Sequence, residues 1–186
     1  MTRFILIRHG ETDWNIEGRW QGQADVPLNE RGREQAIQTA RALAGIKFAA
    51  IYSSDLSRAR EMAEALASAS KLKVQFDVRL REIHQGEWQG LLVSEIQARY
   101  AEAFRQRMID PRSVAPPGGE TALQVMERVV AAIEEIHQLH FGETVAIVSH
   151  GFAIACLLAH YQNLSIEKVW DLIPENGGWR EIKTID

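Results

Sequence analysis

The sequence predicts an α/β fold with three layers: a mostly parallel central sheet flanked by helices on both faces. Three observations carry that prediction. Short apolar runs with β-branched content alternate along the chain with longer segments of helical spacing. Three of the runs end in similar polar clusters, Arg8-His9-Gly10, Ser53-Ser54-Asp55 and Ser149-His150-Gly151. The length, 186 residues with 46% hydrophobic and 25% charged side chains, suits one domain (1–186) with a sizeable core.

Taken in order, Phe4-Ile5-Leu6-Ile7 reads as a buried strand. Residues 10 to 29 are rich in Gly, Asn, Asp and Trp and read as loop. Asn29 is an N-cap candidate for a helix over Arg31 to Ala44, where Ala36, Ala40 and Leu43 fall at helical spacing. Ala49 to Tyr52 is a second strand, and Ser54 or Asp55 is placed to cap a helix through Ala69. A third short strand, Val74 to Val78, leads to Leu80-Arg81-Glu82. Val93 to Met108 reads as one helix with Ile96, Tyr100, Ala103 and Phe104 on one face. Pro111 and Pro116-Pro117-Gly118-Gly119 interrupt it. Thr121 opens a long helix to about His140. Thr144 to Val148 is another buried strand, a helix follows through His160, and the alternation of Trp179 to Ile185 fits a last strand.

Composition excludes some functions. With 25 acidic against 21 basic residues the net charge is −4, so no broad basic face for nucleic acid is expected. The single cysteine, Cys156, cannot form an internal disulfide and reads as core. Phe152 to Ala159, the longest apolar stretch, is far short of a membrane span, so no membrane partner is expected. Met1 to Ile7 lacks the apolar length of a signal segment, and a cytoplasmic location is the default expectation.

In open α/β sheets ligands bind outside the carboxyl ends of the strands. The polar clusters are therefore expected to meet in one crevice holding Arg8, His9, Arg58, Glu82 and His150. Two guanidinium forks match phosphate oxygens. Two imidazoles offer a nucleophile and a proton-bearing stabiliser, and the carboxyl offers an acid or base. A phosphoryl group in transit needs mainly positioning and charge neutralisation, which this set supplies with no metal and no cofactor. No P-loop pattern is present.

These residues lie in five ordered motifs that cover nearly the whole chain. Arg8-His9-Gly10-Glu11-Thr12, with Asn15, Arg19, Gln21-Gly22, Pro27-Leu28, Gly32 and Gln35-Ala36, resembles the opening of the histidine phosphatase superfamily in its phosphoglycerate-mutase-like branch. Ser53, Asp55-Leu56 and Arg58-Ala59 resemble its second motif, and Leu80 and Glu82 with Gly86, Trp88 and Gly90 its third. Pro117-Gly118-Gly119-Glu120 and Val148-Ser149-His150-Gly151 resemble the last two. The resemblance implies a phosphohistidine mechanism. His9 attacks phosphorus, its other ring nitrogen held by a backbone carbonyl. Arg8, Arg58 and His150 bind phosphoryl oxygens, and Glu82 protonates the leaving oxygen and then activates water. Asn15 and Gln21, with the backbone at Gly22 and Gly151, add phosphate contacts. Flanking cations are expected to lower the pKa of His9 and keep it neutral.

The resemblance further implies a small phosphorylated metabolite as the partner, among them sugar phosphates, phosphoglycerates, phosphoserine and α-ribazole phosphate. Family members are often dimers, so a homodimer is among the expectations, although no interface is legible. The leading reading is a metal-independent phosphomonoesterase. A bisphosphate-dependent phosphoglycerate mutase uses the same residues but needs a larger covering insert than the compact 83–117, which is expected to cap the site together with Trp14 to Gln23. A catalytically inactive phospho-ligand-binding protein is the third reading, and retention of all five charged or imidazole groups weighs against it.

Some residues carry blander expectations. Met62 stands where the family commonly has Thr and is expected to pack. Asn29 replaces a usual Thr cap, and Asn176-Gly177-Gly178-Trp179 replaces a small-and-Ser pattern, which leaves the C-terminal contribution to the pocket open. Trp88 reads as core, Trp14 and Trp20 as pocket wall or surface packing, and His84 as a bystander. His137 and His140 read as a solvated helix face rather than a zinc site, as do most of Arg99, Arg105 and Arg107.

Overall fold

The apolar runs assemble into one sheet in a computed structural model that describes residues 1–184. Among these residues the strands are β1 (Arg3–Arg8), β2 (Ala50–Ser53), β3 (Val74–Phe76), β4 (Thr144–Ser149) and β5 (Trp179–Lys183), in the order β3-β2-β4-β1-β5. The first four run parallel and β5 is an antiparallel edge strand on β1. The last strand thus ends at Lys183, and Ile185 lies outside the described residues.

The period of two along each strand sorts side chains into two cores. Phe4, Leu6, Val145 and Ile147 face α6 (Ala122–Leu139) and α7 (Gly151–Tyr161). Ile5, Ile7, Ala146 and Val148 face α2 (Glu30–Ala42) and α3 (Ser57–Ser70). The sheet is therefore covered on both sides, as the continuous apolar runs require. Residues Gly151 to Ala159 of α7 are all buried, and Cys156 and Met62 sit in the core. Trp88 is fully buried as well.

Several local expectations are corrected. Residues 10 to 29 contain a short helix, α1 (Asp13–Glu17), because Thr12 and Asn15 form a reciprocal capping box. Asn29 caps α2 through Gly32 N at 2.8 Å, as expected. Neither Ser54 nor Asp55 caps α3: Asp55 pairs with Arg81 through two bonds, and the cap comes from Asp25, which accepts from Ser57 N at 2.7 Å. The segment read as one helix is two, α4 (Val93–Arg99) and α5 (Ala101–Ile109). The bend at Tyr100 lets the rings of both Tyr100 and Phe104 come within 6.0 Å of Trp88. A 3₁₀ segment, Ile166–Leu172, follows α7 where the sequence offered no assignment.

His137 and His140 do not form a solvated face. His137 Nδ1 meets the hydroxyls of Thr2 and Thr184, and His140 lies between Tyr52 and Glu143. Arg99 and Arg105 are exposed and paired with Glu95 and Glu102. Arg107 is fully buried instead: it donates to Val114 O at 2.7 Å and its guanidinium lies 5.7 Å from the ring centroids of Phe152 and Trp170.

Candidate active site

Parallel pairing of β1 with β4 matches Arg8 to Ser149, so the next residue on each strand, His9 and His150, emerges side by side. Their ring centroids are 5.2 Å apart. Arg58 arrives from the first turn of α3, after β2. Glu82 arrives just beyond a 3₁₀ turn, Val78–Leu80, that follows β3. The hydroxyl of Ser149 donates to Leu80 O at 2.7 Å and ties that turn to β4. Four chain segments thus deliver their polar residues to the carboxyl edge of one sheet.

The structure brings the expected residues together. Arg8, His9, Asn15, Gln21, Gly22, Arg58, Glu82 and Gly151 line one cavity of about 260 Å³, with His150 packed against His9. The loop carrying His9 is locked by a backbone contact. A Cβ on Gly10 would fall 2.4 Å from Gly32 O, so only glycine permits this approach to the start of α2.

His9 is 3% exposed, and its Nδ1 lies 2.6 Å from Gly10 O. A carbonyl only accepts, so Nδ1 carries the proton and Nε2 keeps its lone pair. Burial, then the charges of Arg58 and Arg8, hold the His9 pKa well below the usual histidine range, against the Gly10 hydrogen bond. Burial is thus the larger cause and the flanking cations the smaller one. His150 is lowered likewise, by burial first and then by Arg58, and its Nε2 meets Ser54 Oγ at 2.8 Å.

Arg58 is fully buried and donates to Ala24 O and Gly22 O at 2.7 Å, which fixes the loop beside it. Burial pulls its pKa down to about 10, still leaving it charged at neutral pH. Arg8 donates to Pro174 O at 2.6 Å. Among the described residues, Arg8 Nε, Arg58 Nε and His150 Nδ1 are buried with no hydrogen-bond partner. Buried polar groups are normally paired, so the unpartnered nitrogens on Arg8 and Arg58, which line the cavity with His9, and on His150, which packs against His9, are donors suited to an anion.

Glu82 sits at the N-terminus of α7. Its Oε1 accepts from Ile83 N at 2.9 Å and Ala153 N at 3.1 Å, and its Oε2 accepts from Phe152 N at 3.1 Å. A carboxylate oxygen has two lone-pair positions, so Oε1 is full and Oε2 has one left. Arg128 pins the backbone of this turn by donating to Arg79 O, Arg81 O and Glu82 O, and is itself paired with Glu120. Glu120, from the Pro-Gly-Gly-Glu motif, therefore acts through Arg128 rather than at the cavity.

Other residues emerge only in three dimensions. Asn176 Nδ2 reaches Gly10 O and Asn15 Oδ1, each at 3.2 Å, and Gly177 N donates to His9 O at 3.0 Å. The C-terminal segment is thus a clamp on the histidine loop. Asn15 spends its amide oxygen on this bond and on Thr12, so only its Nδ2 is open to a ligand.

Beyond the charged floor the cavity is walled by Trp20, Ile83, Gln85, Phe152, Trp170 and Ile173, with Arg19 at the side. Of the insert 83–117, only Ile83 and Gln85 line the cavity; Trp88 and Phe104 stand behind Trp20 at 5.7 and 5.9 Å between centroids. Trp170 and Ile173 had no signal in the spacing of the sequence. Trp14 packs over Gly90, and His84 turns away to Gly86 N. Among the described residues no group of three or more His, Cys, Asp or Glu is placed to hold a metal ion, and no helix is long and apolar enough to cross a membrane.

Known proteins share this arrangement. The family description "histidine phosphatase superfamily (branch 1)" matches residues 4–186. Phosphoserine phosphatase 1 of Hydrogenobacter thermophilus is 36% identical over 182 residues, covering 98% of this chain and 86% of that protein. The solved structure of Bacillus stearothermophilus YhfR is 36% identical with a TM-score of 0.93, covering 100% of this chain and 92% of the other. A mycobacterial glucosyl-3-phosphoglycerate phosphatase, solved with VO3, is 35% identical with a TM-score of 0.89, over 96% and 90% of the two chains.

Proposed function

The chain belongs to the histidine phosphatase superfamily, branch 1, and from that membership and the cavity geometry we propose that it hydrolyses a small phosphorylated metabolite, a phosphomonoester, through a phosphohistidine on His9 and without a metal ion. The observation that carries this reading is an imidazole whose Nδ1 is held by Gly10 O, sharing its cavity with Arg8 and Arg58 and packed on His150, each of which keeps a buried nitrogen without a partner.

In the first step the lone pair of His9 Nε2 forms the P–N bond as the P–O bond to the alcohol breaks. Glu82 passes a proton from the open position on Oε2 to the leaving oxygen. Arg8, Arg58 and His150 donate to the three equatorial oxygens, which carry the developing charge. The Ser54 hydroxyl, donating to His150 Nε2, keeps the proton of that ring on Nδ1, where it faces the phosphoryl group. In the second step Glu82 takes a proton from water as its oxygen attacks phosphorus. The P–N bond breaks, leaving His9 neutral again. Asn15 and Gln21 hold the phosphoryl group in line.

The guanidinium groups of half-buried Arg8 and fully buried Arg58 supply the charge neutralisation that a divalent cation supplies elsewhere, which supports metal independence. An overall net charge of −4 is no obstacle, since the positive charge is concentrated at one point. Beyond the floor, the one arginine among the described residues that lines the cavity, Arg19, is already paired with Glu17 and Glu95, which favours a monoester over the bisphosphate a mutase handles. The test is phosphate release from p-nitrophenyl phosphate in a chelator, with acid-labile and base-stable label trapped on the protein. His9→Ala must abolish both. A metal requirement, or turnover surviving in that variant, refutes the mechanism, and phosphate binding with no turnover of any ester supports the inactive binding protein instead.

A further inference from the structure

The chemistry of the cavity changes abruptly away from the phosphate floor. Trp20 and Trp170 stack with centroids 6.1 Å apart at 28°, and Trp170 meets Phe152 at 4.9 Å, so three rings form a continuous wall. Ile83 and Ile173 complete it. Two neutral polar atoms stand here unpartnered among the described residues: Gln85 is 6% exposed with its Oε1 buried, and the Trp170 Nε1 is buried likewise.

The cation that lines this end, Arg19, is already paired. Arg19 is held by Glu17 at 2.5 Å, by Gly90 O at 2.8 Å and by Glu95 at 3.7 Å. Arg107 stands close to Phe152 and Trp170 but does not line the cavity. A carboxylate on the leaving group would lose its water against the negative faces of indole and phenyl rings, which offer it no partner in return. A flat ring instead gains both burial and stacking. At about 260 Å³ the cavity is also smaller than the usual range for small-molecule sites, roughly 300–1,000 Å³.

We infer that the alcohol released at this site is compact, ring-bearing and free of carboxylate, lying against the Trp20–Trp170–Phe152 wall with a hydrogen-bond donor available to Gln85. This rests on the phosphatase reading above and narrows it. It also separates this chain from relatives whose names specify charged leaving groups, a phosphoserine or a glucosyl-3-phosphoglycerate.

The test has a binding arm and a turnover arm. In calorimetry, benzylphosphonate is expected to bind at least about tenfold more tightly than methylphosphonate, a difference of about 1.4 kcal/mol, and more tightly than the phosphonate analogue of phosphoserine. Trp170→Leu and Trp20→Leu, two variants in case one folds poorly, should each shrink the benzyl-to-methyl ratio severalfold. In turnover, benzyl phosphate should exceed O-phosphoserine in kcat/KM; both are primary alkyl esters, so the intrinsic reactivity of the leaving group is matched. Equal or tighter binding of the phosphoserine analogue, or a ratio unmoved in both variants, overturns the inference and leaves the phosphatase reading standing. A benzyl preference in binding with no turnover of either ester supports the pocket assignment and overturns the phosphatase reading.

Discussion

Mild acid should destabilise this protein in a way that can be assigned to two residues. His9 and His150 are 3% and 0% exposed, and the pKa of each is held well below the ordinary histidine value. In the unfolded chain each titrates near 6.5. Below that pH the unfolded state takes up protons that the folded state refuses, so stability falls as pH drops from about 6.5 toward the folded values. At pH 5.5 each histidine costs RT ln(1 + 10), about 1.4 kcal/mol, and at pH 7.5 almost nothing. The pair together should therefore remove about 3 kcal/mol between pH 7.5 and 5.5, a large share of the roughly 5–15 kcal/mol of a typical domain. Urea unfolding followed by tryptophan fluorescence at the two pH values measures the loss. His9→Asn keeps a donor for Gly10 O and His150→Gln a polar group for Ser54. Each should recover about half of the loss, while the carboxylate background common to all three proteins cancels. If both variants lose as much as the wild type, the imidazoles do not stay neutral in the folded state and the account of the nucleophile fails. The catalytic counterpart is an acid limb of kcat/KM lying below pH 6.5.

Three other outcomes are expected. Asn176→Ala removes the amide that braces Gly10 O and Asn15, and kcat for p-nitrophenyl phosphate should fall about tenfold with KM within about twofold, the loss of one hydrogen bond's worth of orientation; a matched rise in KM would assign Asn176 to binding instead. Gly10→Ala should cost more than about 3 kcal/mol, seen as a collapsed thermal melt, because its Cβ meets the backbone of Gly32 and neither side can yield. Arg107→Met should stay within about 1 kcal/mol of wild type in urea. Burial already pulls the Arg107 pKa down to about 10, a penalty of roughly 3 kcal/mol that offsets its carbonyl bond to Val114, whereas Arg107→Ala leaves a cavity and should lose roughly 3 kcal/mol or more.

How far the sequence reaches can be judged residue by residue. Hydrophobic period and length were sufficient for the parallel sheet and its two cores, because strands such as Phe4–Ile7 and Val145–Val148 are apolar on both faces and must be covered twice. The ends of those strands announced Arg8, His9 and His150, since strand order and parallel direction place consecutive carboxyl ends together whatever the loops do. Short-range chemistry was legible where the partner was near: Asn29 caps Gly32 three residues on. It failed where the partner was remote. The cap of α3 comes from Asp25, and Asp55, the local candidate, is drawn away by Arg81.

The same distinction separates the two ends of the cavity. The residue types at the phosphate end were determined by the sequence alone, because phosphoryl chemistry demands cations, an imidazole and a carboxyl in recognisable order. The state of those groups was decided only by tertiary structure. Burial makes His9 neutral, Gly10 O selects its tautomer, and the N-terminus of α7 leaves one lone pair of Glu82 open. The aromatic wall of the cavity was decided there entirely. Trp20, Phe152 and Trp170 follow no shared period: the packing of α7 against the 3₁₀ segment Ile166–Leu172 brings Phe152 to Trp170, and the backbone bonds of Trp20 to Gly90 and Leu91 hold its ring beside them. A contact between distant side chains depends on how helices settle on the sheet, and that is a property of the whole core rather than of any stretch of sequence.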